Sequence, residues 1–316
     1  MSEHQHDLAD AAHHDEEDHE HTGPLVELVT VRDWLRYAIT RFNRAKLFFG
    51  HGTDNAFDEA AYLILHTLAL PIDRLEPFLD ACITLYERLA LFDIIERRVS
   101  ERIPAAYLTH EAWLGGYRFY VDERVIVPRS YFVELLETGL APWVASPDSV
   151  GRALDMCTGS ACLAILMADV FSQAKIVAAD ISADALAVAR TNVDDYQLAD
   201  RVELVQTDLF ENLKGARFDL IISNPPYVTA QTMAQLPAEY RHEPGLALGA
   251  GEDGLDIVRK IIAQARNYLT PNGLLMIEVG YNRQQVDAAF PGLPITWLST
   301  EHSEDKVFML RASDLP

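Results

Sequence analysis

Four consecutive residues, Asn224-Pro225-Pro226-Tyr227, follow an apolar run at 218–223 and have the chemistry to activate a planar nitrogen. The nitrogen of an amide or exocyclic amine is a poor nucleophile because its lone pair is delocalised. The Asn224 side-chain oxygen and the Pro225 carbonyl can accept from its two N–H groups and turn that lone pair toward an electrophile. Pro225 and Pro226 fix the backbone that presents these acceptors, and Tyr227 offers a stacking face. The tetrad therefore predicts a catalytic site for transfer to a planar NH2 group; the alternative is a proline-rich turn with a buried tyrosine.

A second segment, 153–162, predicts a strand that turns through small residues into a helix. Small residues let the backbone approach a ligand closely, and ligands of open α/β sheets bind at the carboxyl ends of strands. Ala161 replaces a glycine of the dinucleotide-binding pattern, which disfavours a pyrophosphate cofactor and favours S-adenosyl-L-methionine, whose amino group Asp155 can face. A plain strand–helix turn is the alternative. The candidate cofactor-binding residues here are Asp155, Thr158, Gly159, Ser160, Ala161 and Cys162.

Acids at further strand ends extend this candidate site. Asp180 follows the first acid by 25 residues, where a carboxylate can accept from ribose hydroxyls. Asp208 can accept from an adenine amino group, while its apolar neighbours Leu209 and Phe210 pack on the ring. Asn224 is counted with the cofactor-binding residues as well as the catalytic ones. Glu278 is interpreted as a sheet-end carboxylate outside the site.

The elements that must position these residues alternate between strand and helix after about residue 150. Short apolar strands are predicted at 152–156, 176–179, 202–206, 218–223 and 274–279, with a closing pair at 295–298 and 307–310. Helices are predicted at 163–170, 185–193 and 255–268. This alternation predicts an α/β fold with a parallel sheet covered by helices.

Residues 24–112 show helical periodicity instead and predict a small helical domain. Its helices are expected to contain the stripe from Val31 to Phe42, to begin again near Asp58, and to run from 85 to 99. Residues 113–130 are predicted to form a β-hairpin linker, because 117–121 alternates with aromatics and 125–127 is β-branched. Residues 131–316 would then form the α/β domain.

The 316-residue chain has a formal net charge of −22. Such a surface repels phosphate backbones, so it disfavours direct DNA binding and favours a basic protein partner; the alternative is that acidity only aids solubility. No run reaches the roughly 18 apolar residues of a membrane span, and the N-terminus has no secretory pattern. We therefore expect a cytoplasmic protein without a membrane partner, and its three cysteines are expected to be reduced.

Residues 1–23 contain eight acidic residues, six histidines and no Lys or Arg. This composition predicts a disordered tail, because it cannot bury enough apolar area to offset chain entropy. A histidine-rich tract can bind a transition metal, but the spacing repeats no ligand pattern, so a solvated tail is the interpretation and no metal site is predicted.

Together these motifs resemble the HemK-type protein-(glutamine-N5) methyltransferase family. The resemblance covers the chain from about residue 25 and places the S-adenosyl-L-methionine loop at 155–162, the ribose acid at Asp180 and the catalytic tetrad at 224–227. It implies a seven-stranded Rossmann-like class I methyltransferase domain, with a small N-terminal helical domain that recruits substrate and is joined by the hairpin. Ala161 departs from the family, which usually has glycine there, and its methyl group is expected to crowd the cofactor slightly.

Three segments resemble the branch that methylates ribosomal protein L-three: 50–55, 128–133 and 240–244. The release-factor branch usually reads Pro-Arg-Pro-Glu-Thr-Glu after the hairpin, whereas this chain reads Pro-Arg-Ser-Tyr-Phe-Val. The implied substrate is a glutamine of that basic ribosomal protein. Three alternatives remain: a release-factor methyltransferase, a DNA adenine N6-methyltransferase, which faces the same chemical problem but needs base flipping, and a ribosomal-protein-binding assembly factor without activity. The target glutamine, the oligomeric state and the choice between free protein and assembling ribosome stay open.

Overall fold

The computed structural model describes residues 23–316, so the predicted tail lies outside the described residues except for Gly23. Contacts divide the chain into two compact units, one that ends at Thr109 and one from His110 to Pro316. The first unit is helical. After a helical turn at 23–27, its elements are α1 Val31–Ala45, α2 Ala56–Thr67, the 3-10 turn Glu76–Phe78, α3 Leu85–Ser100 and α4 Ala105–Thr109.

Each long helix of this unit begins at a side chain that caps its free N–H groups. Thr30 and Thr84 form capping boxes with the acids three residues later. Asn55 accepts from the backbone N–H groups of Phe57 and Asp58, and α2 therefore begins at Ala56, slightly before the predicted start near Asp58. The apolar stripe of α1 is buried as predicted.

A buried ion pair joins α2 to α3 in this unit. The Arg98 Nε donates to Glu59 over 2.7 Å, and both side chains are almost completely buried. The Thr53 hydroxyl donates to the same glutamate over 3.0 Å, and Arg98 also donates to the carbonyl of Phe48. The loop 50–55 is therefore fixed by the buried pair and by the cap of α2.

The second unit opens with a hairpin of β1 Glu111–Leu114 and β2 Tyr117–Tyr120. Gly115 and Gly116 both have positive φ angles, 58° and 80°, which fits a two-residue turn between antiparallel strands. The hairpin was predicted within 113–130, but its two strands are 111–114 and 117–120. The β-branched residues 125–127 form no strand, and two of them, Val125 and Ile126, line a cavity instead.

A seven-stranded sheet forms the core of the second unit, with strand order β5-β4-β3-β6-β7-β9-β8. Its strands are β3 Arg152–Met156, β4 Lys175–Asp180, β5 Val202–Gln206, β6 Phe218–Ser223, β7 Leu269–Glu278, β8 Thr296–Ser299 and β9 Glu304–Arg311. The helices around it are α5 Phe132–Glu137, α6 Cys162–Val170, α7 Ala183–Asp195, α8 Ala230–Met233, α9 Asp256–Ala265 and α10 Arg283–Ala289. Strands β3 to β7 are parallel, and β9 runs antiparallel to both of its neighbours.

The predicted fold class is confirmed, and the strands predicted for the α/β domain all occur. β7 begins at Leu269, earlier than the predicted 274, because an irregular stretch around Gly273 still pairs with β6. A Cβ on Gly273 would lie 2.9 Å from the Phe218 carbonyl oxygen, so only glycine allows this approach. Within residues 23–316, no helix has the length and apolar character to cross a membrane.

Candidate active site

A cavity lies at the carboxyl ends of β3, β4, β5 and β6, where the order of the parallel strands reverses. The predicted site residues on its lining are Thr158, Gly159, Ser160, Cys162, Asp180, Asp208, Leu209, Asn224 and Pro226. Four predicted residues are not on this lining: Asp155, Ala161, Pro225 and Tyr227. The structure therefore gathers residues of both motifs around one cavity and places the other four outside its lining.

Asp155 holds the start of α6. One of its oxygens accepts from the Thr158 hydroxyl and from the backbone N–H of Ala164, 3.1 Å away. Its other oxygen is buried and has no hydrogen-bond partner among the described residues. Burial raises the pKa of Asp155 to about 7. This acid shapes the loop after β3 and keeps one acceptor unused.

The loop after β3 is held in an unusual backbone conformation. Cys157, Gly159 and Ala161 have φ angles of 63°, 55° and 64°. Left-handed conformations disfavour residues with a Cβ, and such strain clusters at ligand sites. Ala161 is completely buried, so its methyl group packs inside the protein.

The loop is also tied to the hairpin. The Asn192 amide donates to the carbonyls of Ser160 and Tyr120, and its oxygen accepts from the Tyr120 N–H over 2.7 Å. The cysteines beside the loop, Cys157 and Cys162, are free and line the cavity. Burial raises the pKa of Cys162 to about 12 and that of Cys157 further, so both remain neutral thiols.

Two acids line the cavity at the ends of β4 and β5. Asp180 accepts from the N–H groups of Gly159 and Ser182, each 2.9 Å away, and burial raises its pKa. Each of its oxygens keeps a lone pair for a ligand. Asp208 is exposed at the cavity, and Leu209 lines it beside this acid. The next residue, Phe210, is instead buried in the core, stacked on Tyr268.

The tetrad begins with an asparagine of fixed orientation. The Asn224 Nδ2 donates to the backbone carbonyl of Arg129 over 3.2 Å, which turns its side-chain oxygen toward other donors. Among residues 23–316, no hydrogen bond reaches this oxygen or the Pro225 carbonyl. Two acceptors on adjacent residues are therefore left without a hydrogen-bond partner among the described residues, and Asn224 is the one of the two on the cavity lining.

An ion pair fixes the arginine that orients Asn224. The guanidinium of Arg129 donates twice to Glu243, over 2.5 and 2.6 Å, in a bidentate pair. Glu243 is buried and also accepts from the Val127 N–H over 3.0 Å. The Arg129 guanidinium lies 5.5 Å from the ring centroid of Tyr240. Two segments that resemble the L-three branch, 128–133 and 240–244, are therefore joined directly behind the tetrad.

Tyr227, at the other end of the tetrad, is held by contacts with Asn282, Gly280 and Glu278. The Asn282 amide donates to its carbonyl over 2.6 Å. A Cβ on Gly280 would lie 2.8 Å from the Tyr227 ring, so this glycine gives the ring its place. The Tyr227 hydroxyl donates to Glu278 over 3.3 Å, and burial raises the pKa of Tyr227, which keeps the hydroxyl protonated.

Two of the residues that contact the tetrad, Glu278 and Arg129, were not predicted as site residues from the chemistry of the sequence. Glu278 was placed outside the site, yet it contacts Tyr227. A signal existed, because a carboxylate that ends an apolar strand is costly to bury unless it is well partnered. Arg129 carried no such signal, since its partners Asn224 and Glu243 are distant in sequence.

Comparisons with known proteins agree with this geometry. A family model described as methyltransferase small domain matches residues 140–239. The chain is 57% identical to the ribosomal protein uL3 glutamine methyltransferase of Neisseria meningitidis serogroup A, across 92% of this chain and 95% of that protein. The protein of the same name from Burkholderia pseudomallei is 56% identical, across 91% of this chain and 96% of its own length. That of Bradyrhizobium diazoefficiens is 50% identical across 92% of both chains.

Proposed function

This chain belongs to the family of ribosomal protein uL3 glutamine methyltransferases, and from that premise we propose that it methylates the side-chain amide nitrogen of a glutamine in ribosomal protein uL3. The observation that carries the proposal is the fixed orientation of Asn224. Its amide nitrogen is engaged by the Arg129 carbonyl, which leaves its oxygen and the Pro225 carbonyl as acceptors. A primary amide has two N–H groups, and two adjacent acceptors match them.

The cavity fits the cofactor of this family, S-adenosyl-L-methionine. Asp180 has lone pairs available for ribose hydroxyls, and the exposed Asp208 can accept from an adenine amino group beside Leu209. Asp155 is not on the lining, and its contribution is to fix the loop through its bonds from Thr158 and Ala164. When bound, the cofactor supplies a sulfonium methyl group, whose transfer leaves a neutral thioether and one proton to be released from the amide.

The tetrad supplies orientation rather than a strong base. Asn224 and Pro225 hold the two N–H groups so that the nitrogen lone pair leaves conjugation with the carbonyl and faces the methyl group. Pro225 and Pro226 stiffen this backbone, so the acceptors need not reorganise during the reaction. Tyr227 packs against Gly280 outside the cavity lining and supports this backbone.

The charge of the chain supports a basic protein as the partner. A net charge of −22 attracts a cationic substrate and repels a nucleic acid backbone. The same charge disfavours DNA as the methyl acceptor, although a DNA adenine presents a similar planar amine.

The experiment is methyl transfer to purified uL3, read by mass spectrometry of its peptides. We expect one methyl group on one glutamine, and no product when that glutamine is replaced. Asn224→Ala should lower the rate on the order of 10²-fold, the typical loss when one preorganised polar group is removed, while cofactor affinity changes little. Asn212→Ala, at an exposed asparagine that is not on the cavity lining, is the matched control and should retain full activity. Preferential methylation of a release factor or of DNA adenine in the same assay would contradict the proposal.

A further inference from the structure

Glu278 is a buried carboxylate that three separate donors satisfy. It ends β7, and only 1% of its surface is exposed. The Ser130 hydroxyl donates to it over 2.5 Å, the Tyr131 N–H over 3.0 Å and the Tyr227 hydroxyl over 3.3 Å. A buried charge is tolerated when hydrogen bonds compensate its lost hydration. Three donors on one carboxylate indicate that its ionised form is the one this structure accommodates.

These donors come from the two segments that frame the amide acceptors. Ser130 and Tyr131 directly follow Arg129, whose carbonyl orients Asn224. Tyr227 closes the tetrad that Asn224 opens. Glu278 therefore links the segment 130–131 to Tyr227 at the end of the tetrad.

We infer that Glu278 is a positioning residue for methyl transfer, whose ionised carboxylate holds Tyr227 and the 130–131 backbone in register so that Asn224 and Pro225 meet the substrate amide. This inference rests on the proposed function, because it assigns a role in the same reaction. Glu278 contacts Tyr227 and is not on the cavity lining, so it would act through the tetrad.

The protonation state of Glu278 connects this role to pH. Burial raises the pKa of Glu278 to about 7, while the bonds from Ser130, Tyr131 and Tyr227 and the charge of Arg129 act in the opposite direction. The charge of Glu278 also raises the pKa of the Cys162 thiol, which therefore remains neutral. Below pH 7 the carboxyl gains a proton, becomes a donor and can no longer accept from all three partners. Turnover should therefore fall as the pH drops through about 7.

The test is the variant Glu278→Gln, assayed for kcat with uL3 as acceptor across the pH range 5 to 9, which brackets the pKa of about 7. Glutamine keeps the size, but its amide nitrogen cannot accept a hydrogen bond. We expect kcat at high pH to fall by about tenfold to a hundredfold and the KM for S-adenosyl-L-methionine to stay unchanged. The decrease of kcat below about pH 7, called the acidic limb of the pH profile, should disappear. A glutamine variant with wild-type kcat and the same acidic limb would overturn the inference.

A second variant keeps the inference testable if Glu278→Gln does not fold. Ser130→Ala removes one donor and leaves the carboxylate, so the pKa of Glu278 should rise and the acidic limb should move to higher pH. A limb that stays in place would contradict the role. In addition, Tyr227→Phe and Glu278→Gln should combine less than additively, because they remove the same contact. If the wild-type chain methylates no uL3, the proposed function fails; if it does and these variants behave like wild type, only this inference fails.

Discussion

The two halves of the cavity are held together in different ways. The cofactor half is built from the loop 155–161 with Asp180 and Asp208, and the bonds that Asp155 and Asp180 accept span 2 to 21 residues. Thr158 donates to an acid three residues away, and Ser182 to one two residues away. These two contacts form as soon as each strand turns into its helix, and the bond from Gly159 to Asp180 needs only the pairing of β3 with β4, so this half depends on nearby parts of the chain.

The acceptor half is built from Arg129, Ser130, the tetrad 224–227, Glu243 and Glu278, and its bonds span the domain. Asn224 lies 95 residues from the carbonyl that orients it, and the Arg129–Glu243 pair spans 114 residues. Ser130 and Glu278 are 148 residues apart. This half exists only when the sheet has assembled, because its partners come from different parts of the second unit.

The two halves also differ in how they use charge. In the cofactor half, Asp180 accepts from backbone N–H groups and keeps lone pairs for a ligand. In the acceptor half, Arg129 and Glu243 form an ion pair with each other. The neutral oxygens of Asn224 and Pro225 are then the groups proposed to contact the substrate. Substitutions should therefore separate into two kinetic classes: those that change cofactor affinity and those that change turnover.

Glu243→Gln is the strongest test of this difference. It places an amide nitrogen against the Arg129 guanidinium, so donor faces donor and the carbonyl that orients Asn224 shifts. A displacement of this kind costs up to about a hundredfold in rate, and we expect kcat to fall by tenfold or more. The dissociation constant for S-adenosyl-L-methionine, measured by calorimetry, should stay close to that of the wild type.

The matched control for this prediction is Asp80→Asn. It removes the carboxylate of an ion pair with Arg32 that is exposed and lies in the helical unit. An exposed pair contributes little, so kcat should not change. If Glu243→Gln weakened the cofactor as strongly as it slowed turnover, the two halves would not be separable in the way that their contacts indicate.

The contrast between the cofactor half and the acceptor half also explains how much of the fold and of the site the sequence could predict. The strands β3, β5 and β6 were predicted with the bounds that the structure has, because apolar runs end at clear turns. Asp180 and Asp208 were placed on the cavity for the same local reason. The roles of Arg129, Glu243 and Glu278 depend on long-range pairing, for which a single sequence contains no spacing rule. The segment 125–127 was predicted as strand but is a loop, with Val125 and Ile126 on the cavity lining, for the same reason.

A smaller effect is expected from Asp180→Asn in the cofactor half. Asparagine retains one acceptor and loses the charge, so one of the bonds from Gly159 and Ser182 is lost together with a ligand contact. A hydrogen bond to a charged group contributes about 1.5 kcal/mol, which corresponds to about tenfold weaker cofactor binding. At saturating cofactor, kcat should be close to wild type. Asp195→Asn, at the exposed end of α7, makes the same charge change and should leave both constants unaltered; a turnover defect in Asp180→Asn would place this acid in both halves.

The smallest effect, and the one of opposite sign, is expected from Ala161→Gly. Ala161 has a φ of 64° and is completely buried away from the cavity lining, so its methyl group strains the backbone and does not crowd the cofactor. A left-handed residue with a Cβ costs about 1 to 2 kcal/mol, and glycine recovers this while adding about 0.5 kcal/mol of unfolded-state entropy. Urea unfolding should therefore show an increase in stability of about 0.5 to 1.5 kcal/mol, with cofactor affinity unchanged. Ala168→Gly, inside α6 and equally buried, should instead lower stability by about 1 kcal/mol. If Ala161→Gly tightened cofactor binding severalfold, the methyl group would belong to the cofactor site itself, as the sequence alone had led us to expect.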